Sequence, residues 1–363
     1  MFIVLFLNFL TQTAFAFPGM VSHGYINCQA CHVSPTGGGL LTQYGRALSN
    51  EVLSSTGSEE ESVFLYDLIK QPEWLNLGGD ARTLVLYRDT PTIREGRVII
   101  MQLDLEAGLS FDPFYAVGTF GYKDTPQPEP LREHLISRRH YLGYRATEEI
   151  GFRLGRFNPG YGINTDDHAI TIKRGLGWDQ ETESYNIESS YINESINFYL
   201  TGIFGRIDEP KLDREKGFAV SASSGFADTF KLGASYFNGK NDLTHRHVFG
   251  PFGVLGFTPE LVLMSEIDFQ AVKDNLPSTD RVWGYVNYQK LDYEFLKGVH
   301  GFLTQEYSQL DWSTDRTKVQ TYGVGGRYFP RPHIELSAAF NVSTRPTLNA
   351  NTYLSYLNLH YYF

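Results

Sequence analysis

Both cysteines of the chain, Cys28 and Cys31, stand three positions apart, and His32 directly follows the second, in the run Asn27-Cys28-Gln29-Ala30-Cys31-His32. C-x-x-C-H is the spacing of c-type haem attachment. That chemistry needs two thiols about one helical turn apart, to add across the two vinyl groups of a haem, and an imidazole carried to the iron. On this reading Cys28 and Cys31 bind the haem covalently, His32 is the proximal iron ligand, and the cofactor is one haem c. Other chemistries fit less well. Structural zinc wants four ligands, usually from a second C-x-x-C or a His pair, and no such pair is present. A thioredoxin-type dithiol wants a βαβ context, which the pattern does not offer. A disulfide is the default for two cysteines in an exported chain, but the spacing with His32 argues for haem.

A sixth ligand would come from the few methionines and histidines. Met20 and His23 lie just upstream of the motif, and His23 is the first candidate. Met101 falls on an apolar strand face, and the later histidines, from His134 to His300, have an ordinary reading as exposed or lumen side chains.

The elements that would hold such a site follow from the rest of the chain. Residues 2–10, FIVLFLNFL, are the only long apolar run, and Ala14-Phe15-Ala16 after them has the small-x-small form of a cleavage site. Residues 1–16 therefore read as a signal peptide, although no Lys or Arg precedes the run. About 20 apolar residues are needed for a spanning helix, and Asn8, Thr11, Gln12 and Thr13 cut this one short. Attachment of haem c outside the cytoplasm agrees with export.

Residues 17–73 read as a small, mostly helical haem-bearing unit. Pro35-Thr36-Gly37-Gly38-Gly39 is a turn. Leu41, Tyr44, Leu48 and Val52 then recur at helical spacing, and Ser58 with Glu61 forms a capping box that opens a second helix to about Lys70. So short a unit has a marginal core of its own and must lean on its surroundings.

From Trp74 the period changes to two. In residues 98–111, Ile99, Met101, Leu103, Leu105, Ala107, Leu109 and Phe111 face one way, while Gln102, Asp104, Glu106, Gly108 and Ser110 face the other. An apolar face opposite a face carrying carboxylates suits a wall with lipid on one side and water on the other. Sixteen strands can be placed between residues 75 and 363, among them 97–111 and 134–145. Their connections alternate: 124–133, 158–182, 207–215 and 239–245 are long and polar, whereas 112, 146–148, 193–194, 227, 257–259 and 330–332 are tight. Short turns alternating with longer loops mark a bacterial outer-membrane barrel and give a soluble sandwich no advantage. Leu357, Leu359, Tyr361 and the terminal Phe363 line one face of the last strand, as in closing strands of such barrels. The expected fold is all-β, a 16-stranded antiparallel transmembrane β-barrel over residues 74–363 behind the helical haem segment.

Aromatic residues make up 15% of the chain, which suits strands with rings at an interface, and a net charge of −10 with no basic run argues against nucleic acid. The loop 158–182 is the longest and is placed either in the lumen, as a constriction, or outside. Its Asp166, Asp167 and His168 are adjacent and so unsuited to share one metal ion. Arg82, Arg88 and Arg153 fall on lumen faces, where carboxylates or haem propionates would pair with them.

In architecture the whole mature chain resembles the fused outer-membrane cytochrome–porins, in which one C-x-x-C-H segment precedes a 16-stranded barrel, best known from iron-oxidising bacteria. In detail the resemblance rests on Cys28, Cys31 and His32 and on the following Pro35, Gly37, Gly38, Gly39, Tyr44, Gly45 and Arg46. The residues around the motif and a shorter barrel depart from the iron-oxidising members, so iron is not fixed as substrate and a sister group fits as well. The resemblance implies electron transfer across the bacterial outer membrane, between a periplasmic electron carrier and an extracellular electron donor or acceptor, with outer-membrane lipid around the barrel. It implies the haem segment in the lumen or on the periplasmic side, and an electron carrier rather than a hydrolase or transferase. The alternatives are a porin-like diffusion channel with a haem-containing plug or gate, and a haem peroxidase, for which no distal His/Arg pair can be named.

Overall fold

The computed structural model describes residues 18–363 except 65–67, 69, 125–129, 166, 168, 179–181, 209, 276–279 and 349; the leader expected at 1–16 lies outside the described residues. Sixteen antiparallel strands form one closed sheet. They are Leu75–Asp89, Arg94–Phe111, Phe114–Tyr122, Leu135–Ile136 with His140–Arg145, Ile150–Phe157, Ser184–Ile192, Ile196–Gly205 and Lys216–Phe226. The second half comprises Phe230–Lys240, Thr244–Gly256, Leu261–Asp274, Val282–Leu296, Val299–Gln309, Lys318–Tyr328, Ile334–Arg345 and Ala350–Tyr362. Closure comes from the first strand, which pairs with both the second and the last, so that Thr83 faces Ile100 on one side and Leu359 on the other. A closed sheet has no edge, so its ladders can pair around the whole circuit without water.

The period-two pattern sorts side chains as expected. Leu103, Leu105, Phe120, Leu142, Leu154 and Leu303 point outward and are exposed, while Gln102, Asp104, Glu106, Thr119, Arg153 and Glu188 point inward and are buried. An exposed apolar exterior around a polar interior suits a hydrocarbon surround. Rings crowd both rims of this exterior. Trp74–Phe111, Phe114–Tyr144 and Tyr144–Phe152 pack near the tight turns, and Phe249–Phe269, Phe269–Tyr285 and Trp283–Trp312 pack at the opposite end.

Two irregularities depart from the sequence reading. A β-bulge sits where Arg82 pairs with Gln102 but Thr83 pairs with Ile100, which leaves Met101 without a partner. The extra residue reverses the alternation beyond it, so Ile100 and Val98, not Ile99, lie exposed on the outer face. The strand read as 134–145 is interrupted: Gly121 pairs with Ile136 and Gly118 with His140, so four steps on one strand oppose three on the other. This slack sends Arg138 to Asp104 and Arg139 to Glu106 inside the barrel. The connection read as 239–245 is also shorter than expected, since strands run to Lys240 and resume at Thr244.

Residues 18–54 lie within the lumen, and residues 55–64 lie against the tight turns at its end. A 3₁₀ turn, Pro18–His23, leads into the cysteine motif, followed by the helix Gln43–Leu48, a π-helical turn Ser49–Leu53 and a 3₁₀ turn Glu59–Ser62. The Ser58–Glu61 capping box is present, with Ser58 N donating to Glu61 at 2.8 Å; the chain is extended at Val63, and most of the rest of the helix expected to Lys70 lies outside the described residues.

The outer face gives a direct check. Leu105 faces outward midway along its strand, and Leu105→Arg is expected to destabilise the barrel in lipid vesicles by about 2–4 kcal/mol in denaturant unfolding, with much less effect for Leu105→Phe.

Candidate functional site

Cys28 to His32 form one helical turn, closed by His32 N donating to Cys28 O at 3.0 Å and Cys31 N to the same carbonyl at 3.3 Å. The two thiols therefore stand one turn apart, unbonded to each other. His32 then begins a short antiparallel bridge to Leu41, with Val33 N donating to Leu40 O at 3.0 Å and Thr42 N to Cys31 O at 2.9 Å. The loop between must double back in a few residues. Gly37, Gly38 and Gly39 do this with φ of +82°, +73° and +65°, a left-handed run that L side chains rarely adopt. Gly45 is needed for contact instead: a β-carbon there would lie 2.4 Å from the Cys31 carbonyl.

Gly39 also orients the histidine. Its carbonyl lies 3.2 Å from His32 Nδ1. A carbonyl only accepts, so Nδ1 carries the proton and the lone pair of the neutral ring is on Nε2, the arrangement that a metal-ligating histidine uses.

The turn is fixed to the wall by long-range bonds. Arg153, buried on the strand Ile150–Phe157, donates to Ser34 and Thr36 at 3.1 Å each and to Glu188 at 2.7 Å. Tyr199 donates to the Pro35 carbonyl at 2.8 Å, and Asn164 to the Thr36 carbonyl at 2.7 Å. Arg46, whose guanidinium is pushed down to about 10 by burial, donates to Asn76 at 2.9 Å and to the Leu77 carbonyl. The far part of the segment grips the tight turns: Ser22 to Pro259 O, Ser55 to Lys297 O, Thr56 to Pro330 O, and Glu61 to Arg331 at 2.6 Å.

A cavity of about 300 Å³ opens beside the turn. Cys28 and His32 line it, together with Arg82, Arg139 and Arg153 from the polar side and Tyr161, Ile163, Trp178, Phe252 and Val254 from the apolar side. Cys31 does not face it: the side chain is 1% exposed in an apolar cluster with Met20 and Leu48, and burial pushes its thiol up to about 12. His23 is elsewhere. It lines a smaller cavity with Pro259, Glu260, Asp292, Glu294 and His300, and burial lowers its pKa. Met20 packs on Cys31 but lines this smaller cavity too, so neither Met20 nor His23 is brought to the cavity that His32 faces.

The loop after Phe157 folds into the lumen. Tyr161 donates to Asp268 at 2.8 Å, Ile163 N to Glu266 at 2.6 Å and Thr171 N to Glu306 at 2.6 Å, while Ile170, Ile172 and Leu176 are buried against the wall. Asp166 and His168 lie outside the described residues. Asp167 caps a local turn by accepting from Ala169 N at 3.1 Å, and among the described residues no group of three His, Cys, Asp or Glu is placed to hold a metal ion. Arg82 and Arg88 pair with Asp80 and Glu95, so these arginines and Arg153 all meet carboxylates.

A closed sheet of sixteen strands with a long connection folded into its lumen is a known architecture. The fold is that of an outer-membrane porin. OmpT of Vibrio cholerae superposes with a TM-score of 0.63 at 12% identity, covering 81% of this chain and 100% of that one. The outer membrane channel DcaP of Acinetobacter baumannii gives 0.59 at 13%, covering 80% and 97%, and an anion-selective porin from Comamonas acidovorans gives 0.58 at 10%, covering 80% and 99%. No family model and no curated protein matches the sequence. The likeness is to porins, and the cytochrome part of the resemblance rests on residues 27–46 of this chain.

Docking of the segment in the barrel has a pH dependence with a definite sign. His333, in the turn before the strand Ile334–Arg345, donates through Nε2 to the Glu61 carbonyl at 2.9 Å, and its burial lowers the ring to about 4. The docked state therefore binds fewer protons than the unfolded one between about 6.5 and 4, so its stability is complete above that window and falls as pH drops through it. Glu61, held below its ordinary value by Arg331, adds a loss in the same direction at lower pH. Backbone amides of residues 49–62 are expected to lose hydrogen-exchange protection as pH falls from 7.5 to about 4.5. His333→Asn, which suits the left-handed φ of 66° there, is expected to remove the upper part of that dependence.

Proposed function

We propose that the chain is an outer-membrane porin-like barrel that carries one c-type haem on its lumenal segment and passes electrons between a periplasmic carrier and an extracellular donor or acceptor. The observation that carries this reading is the Cys28–His32 turn, held inside the barrel wall with His32 oriented by the Gly39 carbonyl and facing a cavity. Cys28 and Cys31 would hold the haem covalently and His32 would ligate its iron through Nε2. When bound, the group supplies a one-electron iron couple.

The chain's own residues do the rest. The Gly39 carbonyl fixes the ring and makes Nε2 a better donor. Arg153 holds Ser34 and Thr36, and with them the start of the glycine run, against the wall. The infolded loop and the apolar wall residues exclude water from one side of the cavity. Attachment at both cysteines would require the Cys31 side chain to turn away from Met20 and Leu48.

A second reading is a porin-like diffusion channel whose lumenal segment serves as plug or gate. It is favoured by the names of the solved relatives, an outer membrane channel and an anion-selective porin among them.

One set of measurements separates the two. Purified full-length protein is expected to keep haem through denaturation and to show a c-type reduced spectrum, lost in Cys28→Ser with Cys31→Ser. In liposomes with an impermeant reductant outside, an acceptor inside is expected to be reduced only through haem-loaded protein, and planar-bilayer conductance is expected to be small. Absence of covalent haem overturns the first reading. Open-channel conductance equal in haem-loaded and haem-free protein establishes the second.

A further inference from the structure

The end of the barrel opposite the tight turns carries a row of cations on its outer face. Lys216 pairs with Lys240, Lys240 with His245, and His245 with Lys273. Arg281 precedes Val282, the partner of Val272, and so stands beside Lys273. Cross-strand partners share a face. Alternation identifies which face: Phe218, Leu232, Phe249 and Trp283, of the same parity, are exposed, whereas Ala219, Phe237, Val248 and Val286, of the other parity, are buried in the lumen.

Like charges opposite one another destabilise a sheet, and a chain of net charge −10 gives no general reason for such a row. Among the described residues Lys216, Lys240, Lys273 and Arg281 have no ion-pair partner. The nearby carboxylates are otherwise placed: Glu215 holds Arg246 at 2.7 Å, Asp274 pairs with Thr244 on the opposite parity, and Asp242 and Asp280 flank the strand ends.

The height of the row points to what fills the gap. Tyr236, Phe249, Phe269 and Tyr285 form an in-register aromatic row four residues further along the same strands, roughly 13 Å away. Aromatic belts mark the boundary between hydrocarbon and headgroups, so the cations stand at the level of headgroup phosphates. Beside and just below the row, Asn238 contacts His245 at 3.1 Å and His247 at 3.0 Å, a set of polar side chains suited to sugar hydroxyls.

We propose that this row binds the phosphates of a multiply phosphorylated glycolipid in the outer leaflet, with lipid A as the matching chemistry. Charge-assisted bonds from Lys216, Lys240, Lys273 and Arg281 reach the phosphates, and the acyl chains lie along the aromatic row. The proposal rests on the outer-membrane placement above and is independent of the haem.

The test titrates the detergent-purified full chain with bisphosphorylated lipid A, fully dephosphorylated lipid A and inorganic phosphate, reading bound lipid by native mass spectrometry. Removal of the phosphates is expected to weaken binding by about tenfold or more. The combined variant Lys216→Gln, Lys240→Gln, Lys273→Gln and Arg281→Gln is expected to show a similar loss while keeping the heat-modifiable migration of a folded barrel. Undiminished binding by a folded variant overturns the proposal. So does equal binding of the dephosphorylated lipid, which would place all affinity in the acyl chains, or competition by inorganic phosphate mole for mole, which would make this a free-anion site. The lipid comparison needs no variant, so it decides the matter even if the substitutions prevent folding. Vesicle insertion of the wild type, measured separately, distinguishes failure of this proposal from failure of the outer-membrane reading.

Discussion

The constraint on which the structure turns is the cost of carboxylates shut inside a filled barrel. Closure satisfies the backbone but leaves Asp104, Glu106, Glu188, Glu266 and Asp268 facing a lumen where each is at most 4% exposed. An ionised carboxylate cut off from water costs several kcal/mol unless donors replace the water. Every one of them has such a donor. Arg138 and Arg139 reach Asp104 and Glu106 from the strand interruption, Arg153 reaches Glu188, and the infolded loop supplies Ile163 N to Glu266 and the Tyr161 hydroxyl to Asp268. Apart from Arg153, which acts from the regular strand Ile150–Phe157, these donors come from the irregular parts of the barrel.

The same compensation positions the cysteine motif. Arg153 spends its guanidinium on Glu188, Ser34 and Thr36 together, so the charge pair of the wall and the docking of the N-terminal segment are one interaction. The glycines after the motif follow from that placement. Gly39 must bring its carbonyl to His32 while leaving room for Arg139, whose Nη1 would lie 1.9 Å from a β-carbon at that position. Sequence spacing sets one turn between Cys28 and His32; wall geometry sets which direction that turn faces.

This division explains what could be read in advance. The C-x-x-C-H spacing and the period-two alternation are local, and they survive as the turn at Cys28–His32 and as the inward and outward faces of the wall. The bulge at Met101 and the break at 137–139 depend on partners across the sheet, Arg82 and Thr83 for one and Gly118 and Gly121 for the other, which no local pattern records. The position of His23 is likewise non-local: its distance in sequence from His32 is short, but Ser22 is tied to the Pro259 turn and carries it to the edge of the lumen. The infolding of the loop after Phe157 had a sequence signal of a kind. Ile163, Ile170, Ile172 and Leu176 are too apolar for a solvated loop, and their burial against the wall is the consequence.

The lumen that results is two-sided. Toward Phe237, Val248, Phe252, Val254 and Val286 it is packed with the loop's apolar residues, and toward Asp104, Glu106, Arg153 and Glu188 it is charged and hydrogen-bonded. An ion entering the second side meets carboxylates and arginines already paired with one another, whereas the first side offers it apolar surface. A redox group asks for the reverse: a dry wall on one side to keep water off, fixed counter-charges on the other, and no requirement that anything pass. On the proposed haem reading the two sides would serve as dry wall and counter-charge, and on the channel reading the Arg153–Ser34 and Arg331–Glu61 contacts are among those that hold the segment in place.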